Sequence, residues 1–126
     1  MKFLLDTQLL IWTAAGSIPL KAKQYIDNNT YILYFSTASI WEIVIKSSQN
    51  RKDFIIDPFI LYDNLLIDGY IELPITGRHT LGVKNLPMHH KDPFDRIILA
   101  QSIVENITLL TSDKIMTKYP ASVAYI

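Results

Sequence analysis

The chain has 126 residues, 49% hydrophobic and 19% charged, with 12 basic residues balancing 12 acidic ones and no cysteine. Its length suits one domain over residues 1–126, and its apolar content supports a packed core rather than disorder. The missing cysteine excludes disulfides and thiolate metal sites and fits a reducing, cytoplasmic setting, while the zero net charge argues against a strongly basic nucleic-acid binder.

The first residues, MKFLLDTQLLIWTAAG, have some features of a signal peptide: Lys2, an apolar stretch and Ala14-Ala15-Gly16. Asp6-Thr7-Gln8 splits that stretch, and a single lysine makes a thin basic region, so the segment reads as part of the fold. No apolar run reaches the roughly 18 residues of a membrane span.

Lys2 to Leu5 is a short apolar run ending at Asp6, which reads as a buried strand. Leu9 to Ala15 is helical, with Gly16 as the stop. Pro19 to Asn28 reads as a second helix. Tyr31 to Phe35 (YILYF) is rich in aromatic and branched residues and reads as a second strand. Thr37 to Ser48 is helical, and the polar stretch Ser47 to Asp53 is a loop. Asp57-Pro58 starts a helix that Gly69 ends. Tyr70 to Leu73 is a short strand, and Thr76 to Val83 is helical. Pro93 to Asn106 is a strong helix, followed by a strand over Thr108 to Thr111 and a last strand over Val123 to Ile126. Strands alternate with helices, the pattern of an α/β domain with a mostly parallel sheet flanked by helices. In such sheets ligands bind beyond the carboxyl ends of the strands.

Several acids fall at those ends, and each has a plain structural use. Asp6 can cap the following helix. Glu42 shares a helix face with Ser39 and Lys46, as a capping box or as an i,i+4 pair with the lysine. Asp92, before Pro93, is an N-cap, and Asp95 at the third helical position suits the helix dipole. Asp113, after a strand, can serve a turn. Taken together, Asp6 and Asp113 lie just past strand ends, and Glu42 and Asp95 in the first turns of helices, so all four point toward one edge of the sheet. Crowded carboxylates raise one another's pKa and repel unless a cation neutralises them. With hard oxygen ligands and no thiolate, Mg²⁺ or Mn²⁺ is the natural ion. Four acids held in one site would also leave the basic residues in excess by four over the remaining acids.

The other notable residues have plainer readings. His89 and His90 precede the Asp92 cap. His90 is expected to hydrogen-bond near the helix start rather than bind metal, since a zinc site needs more ligands nearby. Trp12 and Trp41 lie in apolar surroundings and read as core.

Four blocks carry a family resemblance: FLLDTQLLIW, STASIWEIVIK, LPMHHKDPFDRIILAQS and LLTSDKIMTKYP. In this order they resemble a PIN domain of the VapC-like toxins of bacterial toxin–antitoxin pairs, and the resemblance spans nearly the whole chain. The resemblance implies a PIN-like fold and puts the family's four acids on Asp6, Glu42, Asp95 and Asp113, as catalytic residues and ligands of one or two Mg²⁺ (or Mn²⁺). Thr7 and Gln8 stand beside the first acid, and Thr111 matches the family's Thr or Ser two residues before the last. Gln8 is a departure: such sequences often read Asp-Thr-His there, and Gln can donate a hydrogen bond but cannot act as an acid or base.

The resemblance further implies metal-dependent cleavage of RNA, a homodimer, and an antitoxin that blocks the site. RNA would be held by basic residues, among which Lys46, Arg51, Lys52, Lys91, Arg96, Lys114 and Lys118 are candidates. Arg96 lies about 100° around the helix from Asp95, so pairing with Asp92 or with a partner chain is the competing expectation. Two other classes remain open. A PIN-fold binding module with impaired catalysis would bind metal without cutting, and Gln8 leans that way. A metal-dependent phosphatase or a phosphorylated receiver also sets acids at strand ends, but a receiver needs adjacent acids after the first strand, and Asp6 has no acidic neighbour. DNA in place of RNA is a further alternative within the nucleases.

Overall fold

The computed structural model describes residues 1–49 and 54–126. Five strands form one parallel sheet: β1 (Lys2–Leu5), β2 (Ile32–Ser36), β3 (Ile71–Leu73), β4 (Thr108–Thr111) and β5 (Val123–Tyr125), in the order β3-β2-β1-β4-β5. Six helices connect them: α1 (Thr7–Ala15), α2 (Leu20–Ile26), α3 (Thr37–Ser48), α4 (Pro58–Ile67), α5 (Gly77–Val83) and α6 (Pro93–Glu105). The α/β class and the strand–helix alternation expected from the sequence are those observed. Boundaries move by a residue or two: the second helix starts at Leu20, and Ser47 and Ser48 complete α3 instead of opening the loop. The rest of that loop, with Arg51 and Lys52, lies outside the described residues. A 3₁₀ helix, Lys114–Lys118, follows β4 and was not expected from the sequence.

The local signals act as their chemistry requires. Gly16 ends α1 in the left-handed conformation (φ 70°), and its N–H reaches the carbonyls of Thr13 and Trp12. Asn106 ends α6 the same way at φ 54°, tolerable because Asn adopts this region more readily than most residues. Asp57 and Asp92 cap α4 and α6, each followed by Pro in the first turn.

Strand alternation divides the core between the two faces of the sheet. Phe3, Leu5, Leu33, Phe35 and Leu110 face Leu9, Leu10, Ala22, Leu61 and Leu65 from α1, α2 and α4. Leu4 and Leu109 face the other way, toward Ile98, Leu99, Met116 and Tyr119. Both faces are covered, as the near-continuous apolar strands of a parallel sheet demand.

The chain runs outward from β1 to β2 and β3, then returns to place β4 on the opposite side of β1. Beyond the carboxyl ends of β1 and β4 the connections therefore diverge, which is where α/β sheets open a crevice. Buried Gln101 of α6 braces this edge. It accepts from Ser36 at the end of β2 and donates to the carbonyl of Leu73 at the end of β3.

Trp41 departs from expectation. It is 62% exposed, on the surface of α3, with Phe94 packed edge-to-face at 5.3 Å. Its neighbours in sequence are apolar, but α3 turns Ile43 to the core instead. Trp12 is partly buried against the core.

Candidate metal centre

β1 delivers Asp6 directly to the sheet edge. Its Oδ1 accepts from the Thr7 N–H at 2.7 Å, capping α1, and its Oδ2 accepts from the Thr111 hydroxyl at 2.6 Å. The Thr111 oxygen in turn accepts from the Asp113 N–H at 3.0 Å. One hydroxyl thus joins the ends of β1 and β4 and fixes the spacing of two acids that are 107 positions apart in sequence. Asp113 Oδ1 caps the 3₁₀ helix through the Ile115 N–H.

Glu42 arrives from α3. It is the sixth residue of that helix, so it lies in the second turn rather than the first. Ser36 is the N-cap of α3, and Ser39, expected in a capping box with Glu42, accepts from the buried Thr7 hydroxyl at 2.8 Å. That bond docks α3 on the start of α1 and turns Glu42 into the cleft. Glu42 Oε2 pairs with Lys46 at 3.1 Å, while Oε1 is buried with no hydrogen-bond partner.

Asp95 comes from the first turn of α6. Its Oδ2 lies 2.9 Å from His90 Nε2, and the same nitrogen lies 3.0 Å from Asp113 Oδ2. His90 is therefore the residue that sequence reasoning left out of the site. Its expected bond near the helix start exists, from the Asp92 N–H to Nδ1 at 3.2 Å. The two-residue spacing to the cap was the legible signal for that bond; the reach to Asp113 depends on how β4 and α6 pack.

Asp6, Thr7, Gln8, Glu42, Lys46, Asp95, Ser112 and Asp113 line one cleft of about 400 Å³. All four expected acids are thus brought together, with Thr7 beneath them and Gln8 exposed on the rim. Burial raises the Asp6 carboxyl above its ordinary value, against the downward pull of the Thr111 and Thr7 hydrogen bonds, and the charges of Glu42 and Asp113 raise it further. Burial, then the charges of Asp6, Asp92, Glu42 and Asp113, pushes Asp95 up to about 8.

Such a cluster holds protons or a cation. The unbonded Glu42 Oε1 and the all-oxygen donor set of the cleft fit a hard divalent ion such as Mg²⁺ or Mn²⁺. A second donor set overlaps it: single ligand atoms of His90, Asp95 and Asp113 lie within 4.8 Å of one another. The cleft set is the better fit, because it includes the orphaned carboxylate oxygen.

The basic residues separate. Lys46 lines the cleft, and Lys91, Lys114 and Lys118 are exposed. Arg96 is 9% exposed, buried rather than presented at the surface, and among the described residues it forms no ion pair with Asp92. Its guanidinium donates to the carbonyls of Pro87 (2.9 Å), Val83 (3.2 Å), Leu86 (3.3 Å) and His90 (3.4 Å). A fork of five N–H donors suits such a task, so Arg96 organises the α5–α6 connection.

A parallel α/β sheet with four carboxylates gathered beside its switch point defines a class of domain with a cation-ready cleft at the carboxyl edge. A family model for the PIN domain matches residues 3–121, and the chain belongs to that family. No curated protein matches it in sequence. Among solved structures it is similar to VapBC2 from Rickettsia felis bound to a DNA fragment from their promoter (TM-score 0.75, 16% identity, 100% of this chain and 99% of that one). It is likewise similar to DNA-bound VapBC from Salmonella typhimurium (TM-score 0.73, 12% identity, 99% and 98%). A third is VapBC-5 from Mycobacterium tuberculosis, of the VapBC family of toxin-antitoxin systems (TM-score 0.64, 16% identity, 99% and 97%). Identities this low speak to the fold.

Proposed function

We propose that this PIN domain is a VapC-like, metal-dependent endoribonuclease, the toxin of a toxin–antitoxin pair. The observation that carries the reading is the convergence of Asp6, Glu42, Asp95 and Asp113 on one cleft in which Glu42 Oε1 is buried without a partner. A divalent cation in that cleft supplies an activated water and positive charge for phosphodiester hydrolysis.

The chain's own residues prepare the site. Thr111 and the Thr7 N–H hold Asp6 with both oxygens oriented. Lys46 anchors one oxygen of Glu42 and leaves the other for the ion. Asp95, which burial and the neighbouring acids push up to about 8, would have to lose its proton to serve as a ligand, and a cation held there would favour that by offsetting the surrounding negative charge. Lys46 also lies where a phosphate entering the cleft would meet positive charge, with Lys91, Lys114 and Lys118 on the surface as further RNA contacts. Water is the attacking group, so the RNA 2′-hydroxyl is not needed as nucleophile.

In this reading the partner is an antitoxin, supported by the likeness to a VapBC toxin-antitoxin system, and the working form is a homodimer. Exposed Trp41 and Val44 on α3 and Phe59 and Ile60 on α4 form apolar surface that partners would cover. No helix among the described residues is long and apolar enough to cross a membrane, and the cytoplasm, where RNA and antitoxin are made, is the proposed place of action.

The test is cleavage of a mixed pool of cellular RNA by purified protein with Mg²⁺, with Mn²⁺ and with EDTA, beside an Asp6→Asn, Asp95→Asn double variant. Metal-dependent cuts that vanish in the variant are expected, and a chimeric substrate lacking the 2′-hydroxyl at the cut site should still be cut. Folded, antitoxin-free protein that binds Mn²⁺ and leaves RNA intact would favour a binding module instead; turnover of small phosphoesters alone would favour a phosphatase.

A further inference from the structure

His90 is held at every polar atom. Its N–H donates to the Tyr119 hydroxyl at 2.6 Å, and its carbonyl accepts from Arg96 at 3.4 Å. Its Nδ1 accepts from the Asp92 N–H at 3.2 Å. A ring nitrogen that accepts a backbone N–H carries its lone pair, so the proton of the neutral ring is on Nε2. Nε2 hydrogen-bonds Asp113 Oδ2 at 3.0 Å and also lies 2.9 Å from Asp95 Oδ2, a close approach without hydrogen-bond alignment. Protonated there, Nε2 has no lone pair for a metal, and His90 is not among the residues lining the cleft.

We propose that His90 is a positioning residue of the metal centre: its Nε2–H donates to Asp113 while the same edge of the ring lies against Asp95, so the imidazole sets the spacing of that pair and does not bind the ion. The inference rests on the metal-site reading above. Apolar packing of Ile98 and Leu99 on Met116 and Tyr119 brings α6 against the segment after β4, but the two share no backbone hydrogen bond. The imidazole supplies a polar tie at the acids. Asp95 faces this nitrogen with Oδ2 at 2.9 Å, and Oδ1 is left for the cleft. The tie passes through Asp92: the residue that caps α6 also selects the tautomer. Histidine ligands of metals are commonly oriented by a carboxylate behind them; here the order is inverted, with the histidine behind the carboxylates.

The experiment measures Mn²⁺ binding by calorimetry for the wild type, His90→Ala, His90→Gln and Asp113→Asn, with electron-spin-echo spectra of the bound Mn²⁺. The wild-type spectrum should lack the signal of a directly bound imidazole nitrogen. His90→Ala should weaken binding by roughly 10–100-fold, the usual effect of losing an outer-sphere partner. Gln presents two amide protons to the two acids and should recover most of that loss. His90→Ala should cost less in the Asp113→Asn background, because an amide oxygen accepts from Nε2–H more weakly than the carboxylate does. ¹⁵N NMR of the metal-free protein should show Nε2 protonated, a readout that needs neither metal nor the alanine variant to fold.

A bound-nitrogen signal would make His90 a ligand and overturn the proposal. So would wild-type affinity in His90→Ala, or an Nδ1-protonated ring. Failure of the parent reading looks different. Mn²⁺ binding with RNA left uncut would remove the nuclease and leave the positioning role intact; no Mn²⁺ binding by the wild type would remove both.

Discussion

Replacing Arg96 by Met tests whether one buried cation holds the connection that presents His90. Met keeps an apolar stem of similar length and fills irregular space well, so the loss is chiefly the guanidinium. Hydrogen bonds to charged groups contribute about 1.5–3 kcal/mol each. Two of the four are short (to Pro87 and Val83, 2.9 and 3.2 Å) and two are long (to Leu86 and His90, 3.3 and 3.4 Å). Crediting the short pair and allowing water to reach the partly buried carbonyls gives a loss of roughly 3 kcal/mol. Against a total of about 5–15 kcal/mol this is a large fraction. It corresponds to a fall in Tm of about 10 °C for a chain of this size. Urea denaturation should show a lower midpoint at unchanged m, with Mn²⁺ affinity reduced under conditions where the variant is still folded. Arg96→Lys should recover only part of the loss, since an ammonium cannot span four carbonyls. A loss below about 1 kcal/mol in Arg96→Met would refute the strut, because it would mean the carbonyls are equally content with water.

Three further outcomes follow from the same geometry. Thr111→Val removes the hydroxyl shared by Asp6 and the Asp113 N–H; it should cost about 2 kcal/mol in urea melts and weaken Mn²⁺ binding, and unchanged values for both would contradict the bridge. In EDTA, stability should fall as pH rises from the ordinary carboxylate range toward 8. Asp95, pushed up to about 8, keeps its proton in the folded state where the unfolded chain has lost it, so this contribution is complete at low pH and gone above 8. Urea midpoints from pH 5 to 9 should carry this slope, Asp95→Asn should flatten it, and saturating Mg²⁺ should weaken it; an Asp95→Asn variant with the wild-type slope would place its origin elsewhere. Trp41→Ala should cost no more than about 1 kcal/mol, the worth of its edge-to-face pair with Phe94, and a loss of several kcal/mol would show that the side chain is buried in solution by a partner copy.

The sequence by itself determined the elements and the acids. Apolar runs closed by Asp6 or flanked by Thr and Ser, the Asp57-Pro58 and Asp92-Pro93 starts and the Gly16 stop are local signals, since capping and φ restriction act within a few residues. With strand–helix alternation they imply a parallel sheet and set Asp6, Glu42, Asp95 and Asp113 toward one edge. Side-chain directions and long-range partners were decided only in three dimensions. Trp41 looked like core because its neighbours are apolar, but which face of α3 is buried depends on the sheet beneath it. Arg96 looked like a surface cation, yet the fold of residues 83–90 encloses it in carbonyls. His90 looked like a helix-start residue, and half of its bonding is that; the other half reaches an acid 23 positions away. Contacts of that kind have no periodicity to betray them. They exist because β4 returns beside β1, a pairing settled by packing across the whole sheet.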